Sequence, residues 1–206
     1  MMNSATAQDY AWWQEFEGGI AVSGFCFTFV ADMRPAEVLQ RLKAAPGDIT
    51  EPRGYIEVGP ADGGSVIVDI AGYAGITRDV VSELSRGTRL ATVHNNIDSH
   101  AKFIYAVDGK LITGLDPMFP DEPRWGAEPD WLLEDLEDLG LLYEIDDDGE
   151  WDEEWMERSE QFVEAALALA ERCTGVRLTP EHVRGPLPYA ASVAHLYQLC
   201  APELAY

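Results

Sequence analysis

Positive charge is scarce in this chain of 206 residues. Only 14 lysines and arginines stand against 37 aspartates and glutamates, which gives a formal net charge of -23 at pH 7. Binding to nucleic-acid phosphates needs clustered cations, so this balance argues against a direct nucleic-acid partner and favours a basic protein partner. The acidic excess is uneven, because residues 121 to 160 hold 18 acidic and two basic residues.

Cysteines are few, and long apolar runs are missing. Cys26, Cys173 and Cys200 are too widely spaced for a disulfide framework or a zinc-binding CxxC pair, which is typical of a reducing compartment. The first residues lack the basic end and apolar run of a signal peptide, and no stretch approaches the ~18 to 20 apolar residues of a membrane span. We therefore expect a cytoplasmic protein with no membrane partner.

Short catalytic signatures are also missing from the sequence. We find no P-loop, no GxGxxG, no nucleophile elbow and no HExxH, so we assign no catalytic residue and no cofactor. Serine, histidine and carboxylates are plentiful, however, and a site assembled in space would leave no local pattern. An enzyme or small-ligand-binding protein with such a site is the alternative function.

The strand patterns predict an α+β fold. FCFTFV (25–30) is apolar on both alternating faces, so it belongs in the middle of a sheet, and SVIVDI and TRLATVHNNI add further strands. In FIYAVDGKLITGL, Asp108 and Gly109 supply the turn of a hairpin between two apolar strands. These patterns predict a mainly antiparallel sheet, a meander with a hairpin, with helices packed on it and an acidic helical C-terminal half.

The remaining segments predict helices. They comprise the aromatic DYAWWQEF, a helix begun by Pro35 and stopped by Pro46 and Gly47, a helix capped by Thr77, an acidic helix from Pro129 to Leu139, a long helix from Trp155 to Cys173, and a turn opened by Thr179 and Pro180. Residues 1–184 then form a single domain. Residues 185–206 form a linker and an amphipathic helix, Ala190 to Cys200, that docks on its own domain or on a neighbouring copy, so the oligomeric state is open.

Two motifs suggest metal sites, and each has a simpler interpretation. His94, Asn96, Asp98 and His100 would share one face if their strand continued, but that face is more simply the solvent side of a half-buried sheet. EIDDDGEWDEEW (144–155) begins like a calcium loop, but Trp155 stands where a bidentate glutamate is needed. We therefore predict no metal, and a solvated acidic loop at 144–154.

The loop GLDPMFPDEPRWG (114–126) is the candidate binding element. Its prolines restrict the backbone, which lowers the entropy lost when the loop orders, either by packing on its own domain or by gripping a partner. The packed alternative has Phe119 and Trp125 folding back over the sheet. The binding alternative uses residue types common in interface hot spots and assigns partner binding to Asp116, Phe119, Arg124 and Trp125.

Several ordered blocks together resemble an uncharacterised actinobacterial family, a domain of unknown function. These blocks are FCFTFV, RPAEVLQRL, SRGTRLATVHNNI, DPMFPDEPRWG and ALALAERCTGVRLTPEHV, and the likeness spans roughly residues 20 to 183. The resemblance implies a single domain and carries no activity or site residue. We expect a cytoplasmic protein-interaction module, for instance an immunity-like or regulatory acidic partner of a basic protein.

Overall fold

One antiparallel sheet of eight strands organises the part of the chain that the structure describes. The computed structural model describes residues 4–16, 18–46, 54–98, 100–119, 122–142 and 161–199. Every neighbouring pair is antiparallel in the order β2-β8-β3-β4-β1-β5-β6-β7, so the predicted α+β class is confirmed. The strands are β1 (Phe25–Ala31), β2 (Ala45–Pro46), β3 (Tyr55–Ala61), β4 (Gly64–Ile70), β5 (Arg89–Asn95), β6 (Ala101–Val107), β7 (Lys110–Leu115) and β8 (Tyr189–Ser192).

Helices cover both faces of this sheet. Within the described residues, two 3-10 helices span Ala7–Phe16 and Ala74–Ile76. The α-helices there are α1 (Ile20–Ser23), α2 (Pro35–Leu42), α3 (Arg78–Ser85), α4 (Leu133–Asp138), α5 (Phe162–Thr174), α6 (Pro180–Arg184) and α7 (Ala194–Leu199). None of the helices described is long and apolar enough to cross a membrane.

Strand β1 is the centre of the sheet, as its apolar composition predicted. All seven of its residues are buried, between β4 on one side and β5 on the other. Phe25, Phe27 and Phe29 point to what we call the first face, where α5 and the N-terminal 3-10 helix pack. Cys26, Thr28 and Val30 alternate with them and point to the second face, under α2, α3 and the Ala74–Ile76 turn.

The hairpin and two helix ends follow the predicted local chemistry. Asp108 and Gly109 have φ angles of 49° and 79°, the left-handed conformation that a two-residue hairpin turn requires. Gly175 ends α5 with a φ of 75°. Thr179 caps α6 in a capping box with His182. These short signals specify local backbone geometry directly.

Other helix boundaries differ from the prediction. Helix α2 ends at Leu42, because Lys43 already adopts a left-handed φ of 51° before the expected stop at Pro46. Thr77 precedes α3, but its hydroxyl donates to the carbonyl of Ala74 and accepts no hydrogen bond from the first N–H groups of the helix, as a side-chain cap would. Within the predicted acidic helix only Leu133–Asp138 is helical, after a turn that starts at Pro129.

The expected helix from Ala190 to Cys200 is wrong in its first half. Tyr189–Ser192 form strand β8, which pairs Ala191 with Ile56 of β3 and Ser192 with Ala45 of β2. The backbone groups on the free edge of β3 bind this segment, and such tertiary pairing overrides helix propensity. Strand β8 therefore joins the sheet built by residues before 184. Val193 is fully buried, and α7 begins only at Ala194.

Candidate functional site

A row of polar side chains crosses the second face near one end of the sheet. Asp69 of β4 pairs in register with Cys26 of β1, Cys26 pairs with His94 of β5, and His94 pairs with Lys102 of β6. Residues directly opposite each other in neighbouring strands point to the same face. These four residues, together with Asp116 directly after β7, form what we call the polar row. Its members come from four adjacent strands and from the residue that follows a fifth.

The Asp69 half of the polar row is closed by the turn at Gly72–Ile76. The Asp69 carboxylate accepts a hydrogen bond from the backbone N–H of Ala74 at 3.1 Å. Gly75 lies so close to the sheet that a Cβ would collide with the hydroxyl of Thr28 and come within 3.0 Å of Cys26 Sγ. Burial, followed by the charge of Asp69, raises the pKa of the Cys26 thiol, which therefore stays protonated and is no nucleophile.

His94 lies in the middle of the polar row, at the edge of the part that the turn at Gly72–Ile76 covers. Its side chain is 7% exposed, and its Nδ1 donates a hydrogen bond to the carbonyl oxygen of Phe25 at 3.0 Å. Burial, and to a smaller extent the charge of Lys102, lowers the pKa of His94 to about 4. The imidazole is therefore neutral at pH 7, and its Nε2 carries a lone pair.

The other half of the polar row opens into a cleft. Burial lowers the pKa of Lys102 and raises the pKa of Asp116, so both charged groups are partly desolvated. The cleft measures about 570 Å³ and adjoins a depression of about 390 Å³, with Lys102 and His100 on the wall of both. Tyr73, Ile76 and His94 line the cleft, while Asp116 and Trp125 line the depression.

The predicted solvent face of β5 is in fact a covered one, so that prediction is wrong. The sheet carries helices on both faces, and His94 is buried beneath the second-face layer. Strand β5 ends at Asn95, and the Asn96 side chain accepts hydrogen bonds from the N–H groups of Asp98 and His100, both at 2.9 Å, in a turn. No group of three metal-ligating residues occurs in the part of the chain that the structure describes. The acidic loop at 144–154 lies outside it.

The proline-rich loop packs on its own domain. Trp125 pairs through its backbone with Gly114 of β7, and its indole ring lies directly over that glycine. Arg124 donates to the carboxylate of Asp130 at 2.7 Å, and the Asp116 carboxylate accepts from the N–H groups of Met118 and Phe119. Asp116 and Trp125 thus meet beside the depression, whereas Arg124 is engaged elsewhere. Partner binding by these residues stays a prediction.

An exposed acidic surface follows the loop. We give this name to the exposed side chains of Glu122, Glu128, Asp130, Glu134, Glu137 and Asp138. Leu132 and Leu136 bury the apolar side of α4 on the first face, and Arg172 binds Asp135 and Asp138 at 3.0 and 2.6 Å. Trp131 remains 61% exposed among the acidic side chains. The segment is therefore held firmly while one of its aromatics faces solvent.

A family model described as a family of unknown function, DUF6461, matches residues 3–58 and 52–194. The chain belongs to this family. The match confirms the resemblance to an uncharacterised family, while its actinobacterial source stays a prediction. No curated protein and no solved structure matches the chain.

The DUF6461 match includes the polar row and the acidic surface, two features that sequence reasoning missed in part. Lys102 was a visible signal, because it is the one charged residue in the apolar strand AKFIYAV. The exposure of Trp131 could have been predicted from the helical spacing of Leu132 and Leu136. These two leucines lie on the buried side, and Trp131 lies on the side that faces solvent. The polar row as a whole depends on strand register, which no local pattern of the DUF6461 chain specifies.

Proposed function

We propose that this protein is a cytoplasmic interaction module that binds a basic protein through the acidic surface, in the manner of an immunity-like or regulatory partner. The observation that carries the proposal is Trp131, 61% exposed in a segment of negative charge. Tryptophan is among the residue types most enriched in binding hot spots, and here it lies beside carboxylates that attract a basic partner. The buried free thiols of Cys26 and Cys173 suit a reducing cytoplasm.

The charge of the acidic surface is only partly neutralised within the molecule. Asp130 and Asp138 are bound by Arg124 and Arg172. Among the described residues, no cation forms an ion pair with the exposed carboxylates of Glu122, Glu128, Glu134 and Glu137. These carboxylates are therefore available to a cationic partner, and they would steer its approach in a salt-dependent manner.

Trp131 adds a contact that charge alone does not supply. An indole face binds the guanidinium of arginine by a cation–π interaction, worth ~0.5 to 2 kcal/mol depending on how dry the contact is. The partner surface expected here therefore presents arginine in preference to lysine. Of the loop residues Asp116, Phe119, Arg124 and Trp125, which we expect to contribute to partner binding, Arg124 is joined to the acidic surface, because it donates to the Asp130 carboxylate.

The test uses a synthetic peptide of alternating arginine and glycine, titrated into the full-length protein at low and at high salt. We expect binding that weakens steeply with salt, and an affinity about tenfold lower for Trp131→Ala. Tyr189→Ala is the matched control, because Tyr189 is also an exposed aromatic, at 41%. Equal losses for the two variants, or affinity that ignores salt, would contradict the proposal.

A second candidate function is small-ligand binding. The polar row favours it, because one half of the row opens into a cleft. Interaction modules present flat or ridged surfaces, whereas ligand sites are concave and bring a few polar groups together. The cleft beside His94 and Lys102 meets the second description. No residue of the cleft is assigned a catalytic role.

A further inference from the structure

His94 presents a fixed hydrogen-bond acceptor to the cleft. The Phe25 carbonyl can only accept, so the Nδ1 of His94 must carry the proton of their 3.0 Å hydrogen bond. The neutral ring then leaves Nε2 as an acceptor, on the edge of the ring turned away from Phe25. Because His94 is 93% buried, the ring cannot rotate freely, and its acceptor is aimed before any ligand arrives.

Lys102 supplies a positive charge at the same spot. It lies directly opposite His94 across the β5–β6 pair, on the same face of the sheet. Side chains in such pairs have Cβ atoms ~4.5 to 5.5 Å apart, so one small molecule can reach both. Within the described part of the chain, no carboxylate comes within ion-pair distance of the Lys102 ammonium.

One side of the cleft wall is apolar, and other parts of the wall carry the polar residues Asn95, Asn96, Asp98 and His100. Ile76 is buried at its base, Ile97 is 72% exposed at its rim, and Tyr73 and Ala71 complete this side. A volume of about 570 Å³ falls in the range of small-molecule sites, which run from ~300 to 1,000 Å³. The cleft therefore places the Lys102 cation and the neutral His94 acceptor next to an apolar side.

We propose that this cleft binds a small hydroxycarboxylic acid that has an apolar end. The carboxylate pairs with the Lys102 ammonium, the hydroxyl donates to Nε2 of His94, and the apolar end packs against Tyr73, Ile76 and Ile97. At the Lys102 end of the cleft a cationic ligand is disfavoured, because the ammonium would repel it. A carboxylic acid without a donor would cover Nε2 without making a hydrogen bond to it, which weakens its binding. This site is independent of the acidic surface, so either proposal can fail without the other.

The first experiment varies the ligand and leaves the protein unchanged. Mandelate, phenylacetate and mandelamide share the phenyl ring, but phenylacetate lacks the hydroxyl and mandelamide lacks the charge. We expect mandelate to bind about tenfold more tightly than either control, and to shift the ¹⁵N resonance of His94 Nε2. Equal binding of the three compounds, or binding that leaves the His94 resonance unmoved, would overturn the proposal.

The second experiment separates the two recognition groups. Lys102→Met should remove the preference for mandelate over mandelamide and keep the shift of the His94 resonance that mandelamide causes. Lys110→Met is the matched control, because Lys110 is an exposed lysine in the β6–β7 hairpin. The proposal is overturned if Lys102→Met leaves that preference intact, or if Lys110→Met abolishes it equally.

Discussion

The two faces of the sheet are built on different principles. On the first face, Trp13, Phe25 and Phe27 form a continuous aromatic cluster, with ring centroids 4.7 to 5.7 Å apart and every ring almost fully buried. The second face is apolar at Val30, Ile67 and Leu90, but it gives way to the polar row at one end. The first face is therefore packed with apolar side chains around these rings, whereas the second face carries buried polar groups at one end, beside a cleft.

The two faces also differ in how their polar groups are hydrogen-bonded. On the first face the Tyr10 hydroxyl donates to Glu171 at 2.7 Å, and Arg177 binds the same carboxylate at 3.0 Å. These contacts join the N-terminal 3-10 helix to α5 and to the segment that follows it. On the second face, His94 has one nitrogen bound to the backbone and the other turned toward a cleft. Polar groups whose hydrogen bonds are made within the protein stabilise the fold, whereas a group with an unused acceptor can bind a ligand.

The largest predicted effect is on the aromatic cluster of the first face. Trp13→Ala should lower the free energy of unfolding by about 3 to 5 kcal/mol, because it removes a buried ring and leaves a cavity against Phe25 and Phe27. Trp131→Ala is the control, and we expect a change below about 0.5 kcal/mol from this exposed side chain. Urea denaturation followed by circular dichroism measures both. Comparable losses for the two tryptophans would contradict the comparison of the faces.

The second prediction concerns the loss of stability at acidic pH and tests the burial of His94 on the second face. Burial lowers the pKa of His94 to about 4 in the folded protein, from an ordinary value of 6.5. Between these two pH values the unfolded chain binds a proton at His94, whereas the folded protein does not. Stability should therefore fall as the pH drops from about 6.5 to about 4, by up to about 3 kcal/mol from this residue, and the His94 contribution should be flat below that.

His94→Gln separates this effect from the titration of carboxylates. The carboxylates are common to both proteins, so the wild type should lose more stability than the variant over the same pH range. An NMR titration of the His94 ring gives the folded pKa directly. A ring that titrates near 6.5 in the folded protein would show that it is not held neutral by burial.

Much of the fold was predictable because its signals are local. Strand β1 is apolar on both faces, the Asp108–Gly109 turn needs two positive φ angles, and Thr179 with Pro180 marks a helix start. Strand β8 was not predictable in this way. Its residues bind the edge of β3, which lies far away in the sequence, and no pattern within Tyr189–Ser192 reports that pairing.

The candidate site was less predictable than the fold. His94 and Asp116 were both singled out from the sequence, one as a metal ligand in a motif and the other as a partner-binding residue. Lys102 connects them, and this connection depends on the registers of β5, β6 and β7. The burial of His94 also depends on a turn, Ala74–Ile76, whose approach to the sheet requires Gly75. Both are tertiary features.

The third prediction tests the polar contacts of the first face. Tyr10→Phe removes only the hydroxyl that donates to Glu171, so the ring packing is retained. A hydrogen bond to a charged acceptor contributes ~1.5 to 3 kcal/mol, and we expect a loss of that size in the free energy of unfolding. Thermal unfolding at pH 7 measures the loss. A variant as stable as the wild type would show that Arg177 alone satisfies the carboxylate.

The smallest predicted change in the free energy of unfolding is that of Lys102→Met. Whether this change is a gain or a loss distinguishes the two faces. Burial disfavours the charged form of this lysine more than the attraction of Asp116 favours it, and no described carboxylate lies within ion-pair distance, so the charge costs stability. Lys102→Met keeps the apolar stem and removes the charge, and we expect stability to be unchanged or higher by up to about 1 kcal/mol. A loss above about 1 kcal/mol in urea denaturation would mean that Lys102 serves the fold, as Tyr10 does on the first face. A gain joined to the loss of mandelate selectivity would mean that the second face keeps this charge for a ligand.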